Sequence, residues 1–215
     1  MEKKVGWLAI IVGLGLLTAT HISAQTLFYL TGNPGYIAQG VAQTDSSANG
    51  WTITGSANYQ NGPEFAINGP GYPESDIYFT LDFASKSETP LQPGLYTNAT
   101  RFPFNVAGLP QADWTNGLDI DGEGRGDNEL TGEFIVLQAV YSSGTLISFA
   151  ADFIQNDENN ASNQDYGSIR YNSSIPLDIE TGHSFTLVPE PSASQLFFFA
   201  ILLFGAMCFL RRIKN

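Results

Sequence analysis

An all-β fold is predicted by three features of the chain. Apolar residues alternate with polar ones in several short runs, Gly and Pro turn signals break those runs too often for long helices, and the dominant period is two rather than 3.6. The expected architecture is a single antiparallel β-sandwich or jelly-roll-like domain, flanked by an N-terminal signal helix and one C-terminal transmembrane helix.

The order of segments supports this. Glu2, Lys3 and Lys4 precede an apolar stretch from Val5 to Leu17, and Ile22-Ser23-Ala24 places a small residue before Gln25, the layout of a secretory signal peptide over residues 1–24 cleaved after Ala24. Residues 25–187 have a length suited to one exported domain and show no internal repeat of fixed period. Trp51, Ile53, Gly55, Ala57 and Tyr59 alternate with polar neighbours and read as a half-buried strand with Trp51 and Tyr59 inward. Ile77, Phe79, Leu81 and Phe83 alternate against Tyr78, Thr80 and Asp82 as a second strand. Phe134–Tyr141 and Leu146–Phe153 read as two more, joined by Ser142-Ser143-Gly144-Thr145, and another begins at Gly167. Asn156–Asp165 is polar and expected to be a mobile loop, and Pro176–Leu187 a last strand plus a stalk.

The exported domain is strongly acidic: Lys86, Arg101, Arg125 and Arg170 stand against nineteen of the chain's 21 acids. Such a field repels phosphate backbones, so nucleic acid is excluded as a partner, while divalent cations and neutral glycans are not. Each arginine is expected to pair with a carboxylate. The sole cysteine, Cys208, lies beyond the domain, which therefore rests on packing without a disulfide.

No catalytic constellation is evident. His183 is the one histidine outside the signal segment, and the chain has no His-Glu-x-x-His, no Walker loop and no Gly-x-Ser-x-Gly, so no enzyme is expected. The alternative is a secreted glycan-active hydrolase using a carboxylate pair, which nineteen acids leave open. Trp51, Trp114, Tyr59, Tyr72, Tyr78 and Tyr96 offer aromatic faces for either a sugar-stacking platform or the core. Asp119-Ile120-Asp121-Gly122-Glu123-Gly124 presents oxygens at the alternating spacing of calcium loops, without completing an EF-hand. A weak Ca²⁺ site drawn from Asp119, Asp121, Glu123 and Asp127 is one expectation and a solvated acidic turn the other; no further cofactor is implied.

The last segment carries the most specific pattern. Val188-Pro189-Glu190-Pro191-Ser192 is followed by an apolar run from Leu196 to Leu210 and then by Arg211, Arg212 and Lys214. The prolines keep the motif extended and out of the following helix. The apolar run spans roughly 22 Å as a helix at about 1.5 Å per residue, short for a permanent span. With its flanks it defines a transmembrane helix at about 194–211 and a basic end at 211–214. Lysines before the first apolar segment and arginines after the last keep both ends cytoplasmic and the body outside.

This tail, residues 188–215, resembles the PEP-CTERM sorting signal of exported proteins in exopolysaccharide-producing Gram-negative bacteria. The resemblance implies a non-enzymatic cell-surface or matrix protein that is a substrate of exosortase, a membrane transpeptidase. Such a protein passes through the secretion translocon and signal peptidase, is held transiently in the membrane, and then reaches the cell surface or exterior in association with exopolysaccharide. Within the domain, Pro93-Gly94-Leu95-Tyr96, Ala99–Phe104, Gly124-Arg125-Gly126, Phe149–Phe153 and Gly167–Ser173 are similar to a β-rich module of unassigned function in exported bacterial proteins. In that module a cysteine follows Gly-Arg-Gly and another follows the Asp-Phe strand, implying a bridge. Here Asp127 and Asp157 stand in their place, so the resemblance implies two neighbouring carboxylates, relieved by a raised pKa, by Arg125, by a shared cation or by water.

Overall fold

The computed structural model describes residues 23–177. Within them the chain is all β: ten strands, two 3₁₀ turns at Ser47–Asn49 and Gln111–Asp113, and no α-helix. No helix among the described residues is long and apolar enough to cross a membrane. The signal helix, the motif Val188–Ser192, the apolar tail and Arg211 and Arg212 lie outside the described residues.

The strands are β1 (Gln25–Asn33), β2 (Gln43–Ser46), β3 (Thr52–Ala57), β4 (Pro63–Asn68), β5 (Tyr78–Ala84), β6 (Gly94–Arg101), β7 (Asn116–Gly122), β8 (Leu130–Ser142), β9 (Thr145–Asp157) and β10 (Gln164–Ser173). They form one sheet in the order β2-β1-β10-β9-β8-β6-β7-β5-β4-β3. The sheet rolls until its ends approach, bringing β3 against β9 and β1. A nearly closed sheet leaves only short edges at β2 and β3, which limits edge-to-edge pairing.

One pair departs from the expected antiparallel arrangement. β6 and β7 are parallel, because the 102–115 connection carries the chain back before it re-enters beside β6. All other neighbours are antiparallel.

Alternation builds the core. Phe79, Leu81 and Phe83 of β5 point inward, as the sequence predicts, whereas Ile77, expected with them, precedes the strand and is exposed. Phe83 sits amid Phe134 at 4.9 Å, Phe149 at 5.6 Å and Phe153 at 6.0 Å between ring centroids. Phe28, Leu30, Phe65, Ile67, Leu118, Ile120 and Ile169 complete the interior.

Turn chemistry sets the registers. In the β8–β9 hairpin Ser143 and Gly144 both have positive φ, 49° and 81°, the mirror-image turn that matches strand twist. Between β3 and β4 the Asn58 side chain accepts from the amides of Gln60 and Gly62 and donates to the Phe83 carbonyl. A Cβ at Gly62 would lie 1.8 Å from that carbonyl oxygen, so only glycine fits.

Two further expectations are corrected. Asn156–Asp165 is not one loop: β9 continues to Asp157 and β10 begins at Gln164, leaving a short link closed by Asn160 N–H to the Asp157 carbonyl and Asp157 N–H to the Asn163 carbonyl. Its polar residues are outward strand positions and buried acids, which is why composition mimics a loop. Tyr59 is 67% exposed, because β3 ends at Ala57 and the tyrosine falls in the turn.

Candidate functional site

Two regions gather polar side chains: a buried carboxylate cluster at one end of β9 and β10, and a trough on the outer face of β6, β8 and β9.

The cluster joins Asp127, Asp157 and Asp165, each at most 2% exposed. Asp165 accepts from the amides of Ile37 and Ala38, both at 2.9 Å, and Asp157 from the amide of Tyr36 at 2.6 Å. Asp127 accepts from the Gln155 amide at 2.8 Å. One oxygen each of Asp127 and Asp157 is buried with no donor. Burial first, and then the Asp157 carboxylate beside it, push Asp127 up to about 8. Asp165 is raised to about 7, again by burial and then by Asp157, against the opposing pull of the Ala38 and Ile37 amides. The implied neighbours are therefore adjacent, with a third acid, and a retained proton relieves their repulsion. Arg125 does not serve: its side chain donates to the Ile37 carbonyl at 3.0 Å and to Glu123 at 2.8 Å.

Of the four residues considered for calcium, Asp119 and Asp121 are near neighbours, whereas Asp127 is buried against Gln155. Asp119 and Asp121 are on the outer side of β7, opposite the inward Leu118 and Ile120. Asp119 pairs with Arg101 at 3.4 Å, Glu123 with Arg125, and Asp127 turns in toward Gln155. No set of three or more acids, histidines or cysteines among the described residues is placed to hold a metal. Glu64, Asp82 and Asp119 form a cross-strand row over β4, β5 and β7. Burial lifts Asp82 to about 7, and lifts Asp119 to about 7 despite Arg101.

The aromatic candidates also separate. Trp51 stacks on Phe79 at 6.1 Å and Tyr96 on Phe134 at 4.8 Å, Tyr59 lies tilted against Phe102 at 5.2 Å, and Tyr72 edges on Tyr78 at 5.7 Å. Trp114 donates to the Leu109 carbonyl. They form no common platform.

The trough was not legible in the sequence. It consists of two hollows of about 380 and 390 Å³ that share Thr100 and Thr131. The first is lined by Thr97, Asn98, Thr115, Asn156 and Gln164 over Ile154; the second by Arg101, Phe104 and Glu129. Asn98, at φ 53°, lies where the β6–β8 register shifts between Tyr96 and Ala99, a bulge that lifts Thr97 and Asn98 to the rim. A third hollow of about 720 Å³ lies at the seam of the rolled sheet between Thr26, Ser46 and Ile53. The only sequence signal for the trough is outward Thr, Asn and Gln at alternate strand positions, a pattern shared with any solvated sheet face.

Comparison with known proteins finds no matching family model, no matching curated protein and no matching solved structure.

Proposed function

We propose that the chain is a non-enzymatic exported protein of the cell surface or extracellular matrix, delivered through its PEP-CTERM-like tail by an exosortase-type transpeptidase and associated with exopolysaccharide. The observation that carries this reading is the order of the tail in the sequence, Val188–Ser192, the apolar run to Leu210 and then Arg211 and Arg212; the placement of the described chain's two ends accords with it. Gln25, the first residue of β1, pairs with Ser173, the last of β10, and Thr26 and Asn172 are hydrogen-bonded through side chain and backbone. The two ends of the described body are thus neighbours, an arrangement compatible with a leader and a tail that meet the same membrane. Ala24 is exposed immediately ahead of β1, so cleavage after it would leave the sheet intact.

The hydrolase alternative draws little support from the trough. Its two hollows are lined by one carboxylate each, Glu133 and Glu129, while the closely packed acids are buried in the cluster. A carboxylate pair that cleaves a glycan must flank a bond that the glycan can bring to it.

Mass spectrometry of the native product, from cells with and without the transpeptidase, tests the sorting reading. The expected result is loss of Arg211 and Arg212 only where the enzyme is present. A mature product that keeps both arginines in its presence overturns the reading.

A further inference from the structure

We propose that the trough over β6, β8 and β9 is the seat of a neutral glycan chain. The inference rests on the matrix reading above for where its ligand is met, and on the trough alone for what that ligand is.

Apart from Glu133, Glu129 and Arg101, the polar side chains of its lining are neutral groups that both donate and accept. Sugar hydroxyls have the same dual character, whereas a phosphate or carboxylate ligand offers acceptors alone. These side chains are also held in place before any ligand arrives. The Tyr166 hydroxyl donates to the Gln164 side-chain oxygen Oε1, the Gln164 side-chain amide donates to Asn156 Oδ1 at 2.6 Å, and the Asn156 side-chain amide donates to the Thr131 hydroxyl at 3.2 Å. The relay crosses three strands and leaves the Thr131 proton free to turn into the trough, at the point the two hollows share. Thr100 and Thr115 are tied to each other at 2.5 Å. Side chains already ordered lose little entropy on binding.

The second hollow supplies an aromatic face. Phe104 is 59% exposed, and the Arg101 guanidinium covers one side of its ring at 5.3 Å from the centroid. The other side is open to the apolar face of a pyranose, and Ile154 offers an apolar floor to the first hollow. The combined volume falls within the range of roughly 300–1,000 Å³ for ligand sites.

Charge and topology discriminate against other ligands. Glu133 and Glu129 outnumber Arg101 in the lining, and Arg101 is already engaged by Asp119. A polyanion would meet repulsion both locally and from the acidic body. An extended peptide needs an unpaired edge to join, yet β6, β8 and β9 each have partners on both sides.

The test uses the full chain in detergent, titrated with neutral hexaoses of β-1,4-glucan, β-1,3-glucan, α-1,6-glucan and α-mannan, and with an alginate hexaose as the acidic comparison. At least one neutral hexaose is expected to bind with Kd below about 1 mM, and alginate to bind more weakly. Phe104→Ala and Gln164→Ala should each lower that affinity about tenfold or more. Thr131→Phe, at an exposed position filling the shared waist, should abolish it, and it carries the test if either truncation unfolds the protein. Failure of every neutral hexaose, tighter binding of alginate, or unchanged affinity in folded variants overturns the proposal. Normal tail processing alongside absent glycan binding would sink this inference alone, and glycan binding alongside an uncut tail would sink only the sorting reading.

Discussion

Arg170 and Asp152 close a 2.8 Å ion pair on the outer face of β9 and β10, and the arginine head is completely buried. The nitrogen of the pair, Nη1, also reaches the carbonyls of Ala151 and Ile169, while Nε and Nη2 donate to the Pro176 carbonyl, so the arginine also clamps the segment leaving β10. Asp152 accepts in addition from Ser168 at 2.6 Å. Removing one partner of a buried pair strands the other charge, so Arg170→Met should destabilise the domain by about 3–5 kcal/mol. Adding Asp152→Leu should recover part of that loss. Chemical denaturation of the two variants checks both statements.

The raised carboxyls set the pH dependence. In the unfolded chain these groups titrate near 3.8, whereas the folded values are about 8 for Asp127 and about 7 for Asp82, Asp119 and Asp165. The folded state therefore holds more protons than the unfolded state from about pH 4 to about pH 8. The stability they contribute is fully present below the unfolded value and is lost as pH rises through the folded ones. Melting temperature should fall steadily from pH 5 to pH 8.5. Asp127→Asn, which retains the contact with Gln155 and removes one titrating group, should flatten that slope.

Phe83 lies at the centre of the aromatic core, whereas Tyr59 covers Phe102 from the solvent side. Phe83→Ala should cost about 3–5 kcal/mol through lost burial and a residual cavity. Tyr59→Ala should stay within about 0.5 kcal/mol. Urea unfolding midpoints distinguish the two.

Gly62 is required by space. Its missing Cβ would stand 1.8 Å from the Phe83 carbonyl oxygen, a backbone atom that cannot rotate away. Gly62→Ala must push β5 from the turn, and should cost at least the upper part of the overpacking range of about 1–3 kcal/mol. Thermal unfolding measures it.

Calcium should have little effect. Asp119, Glu123 and Asp127 are committed to Arg101, Arg125 and Gln155, respectively. Millimolar Ca²⁺ should leave the melting temperature unchanged. A rise of several degrees would mean that the 119–127 segment rebuilds around the ion.

Strands with one wet face were readable because their side chains obey a period of two. β5 alternates Phe79, Leu81 and Phe83 against Tyr78, Thr80 and Asp82. β9 was readable although it is buried on both faces over most of its length, because polar Ser148, Asp152 and Asn156 still punctuate its outer side. β1 escaped this reading because both its faces are buried: Phe28 and Leu30 inside, Leu27 and Tyr29 outside. That removes the alternation. β6 and β7 were obscured by Thr, Asn and Asp, which resemble turn chemistry until neighbouring strands pair with them. The proximity of Asp127 and Asp157 was implied by resemblance, but the third acid, Asp165, was not, since it arrives from β10 and is held by a loop after β1.

By itself, then, the amino-acid order determined a β-rich acidic body between two apolar segments, because alternation, turn residues and charge are local properties. Closure of the sheet, the parallel insertion of β7, the proton-bearing acid cluster and the trough were decided only by the tertiary structure. Each joins residues far apart in the chain, and their contacts depend on strand order and register, which no local pattern encodes.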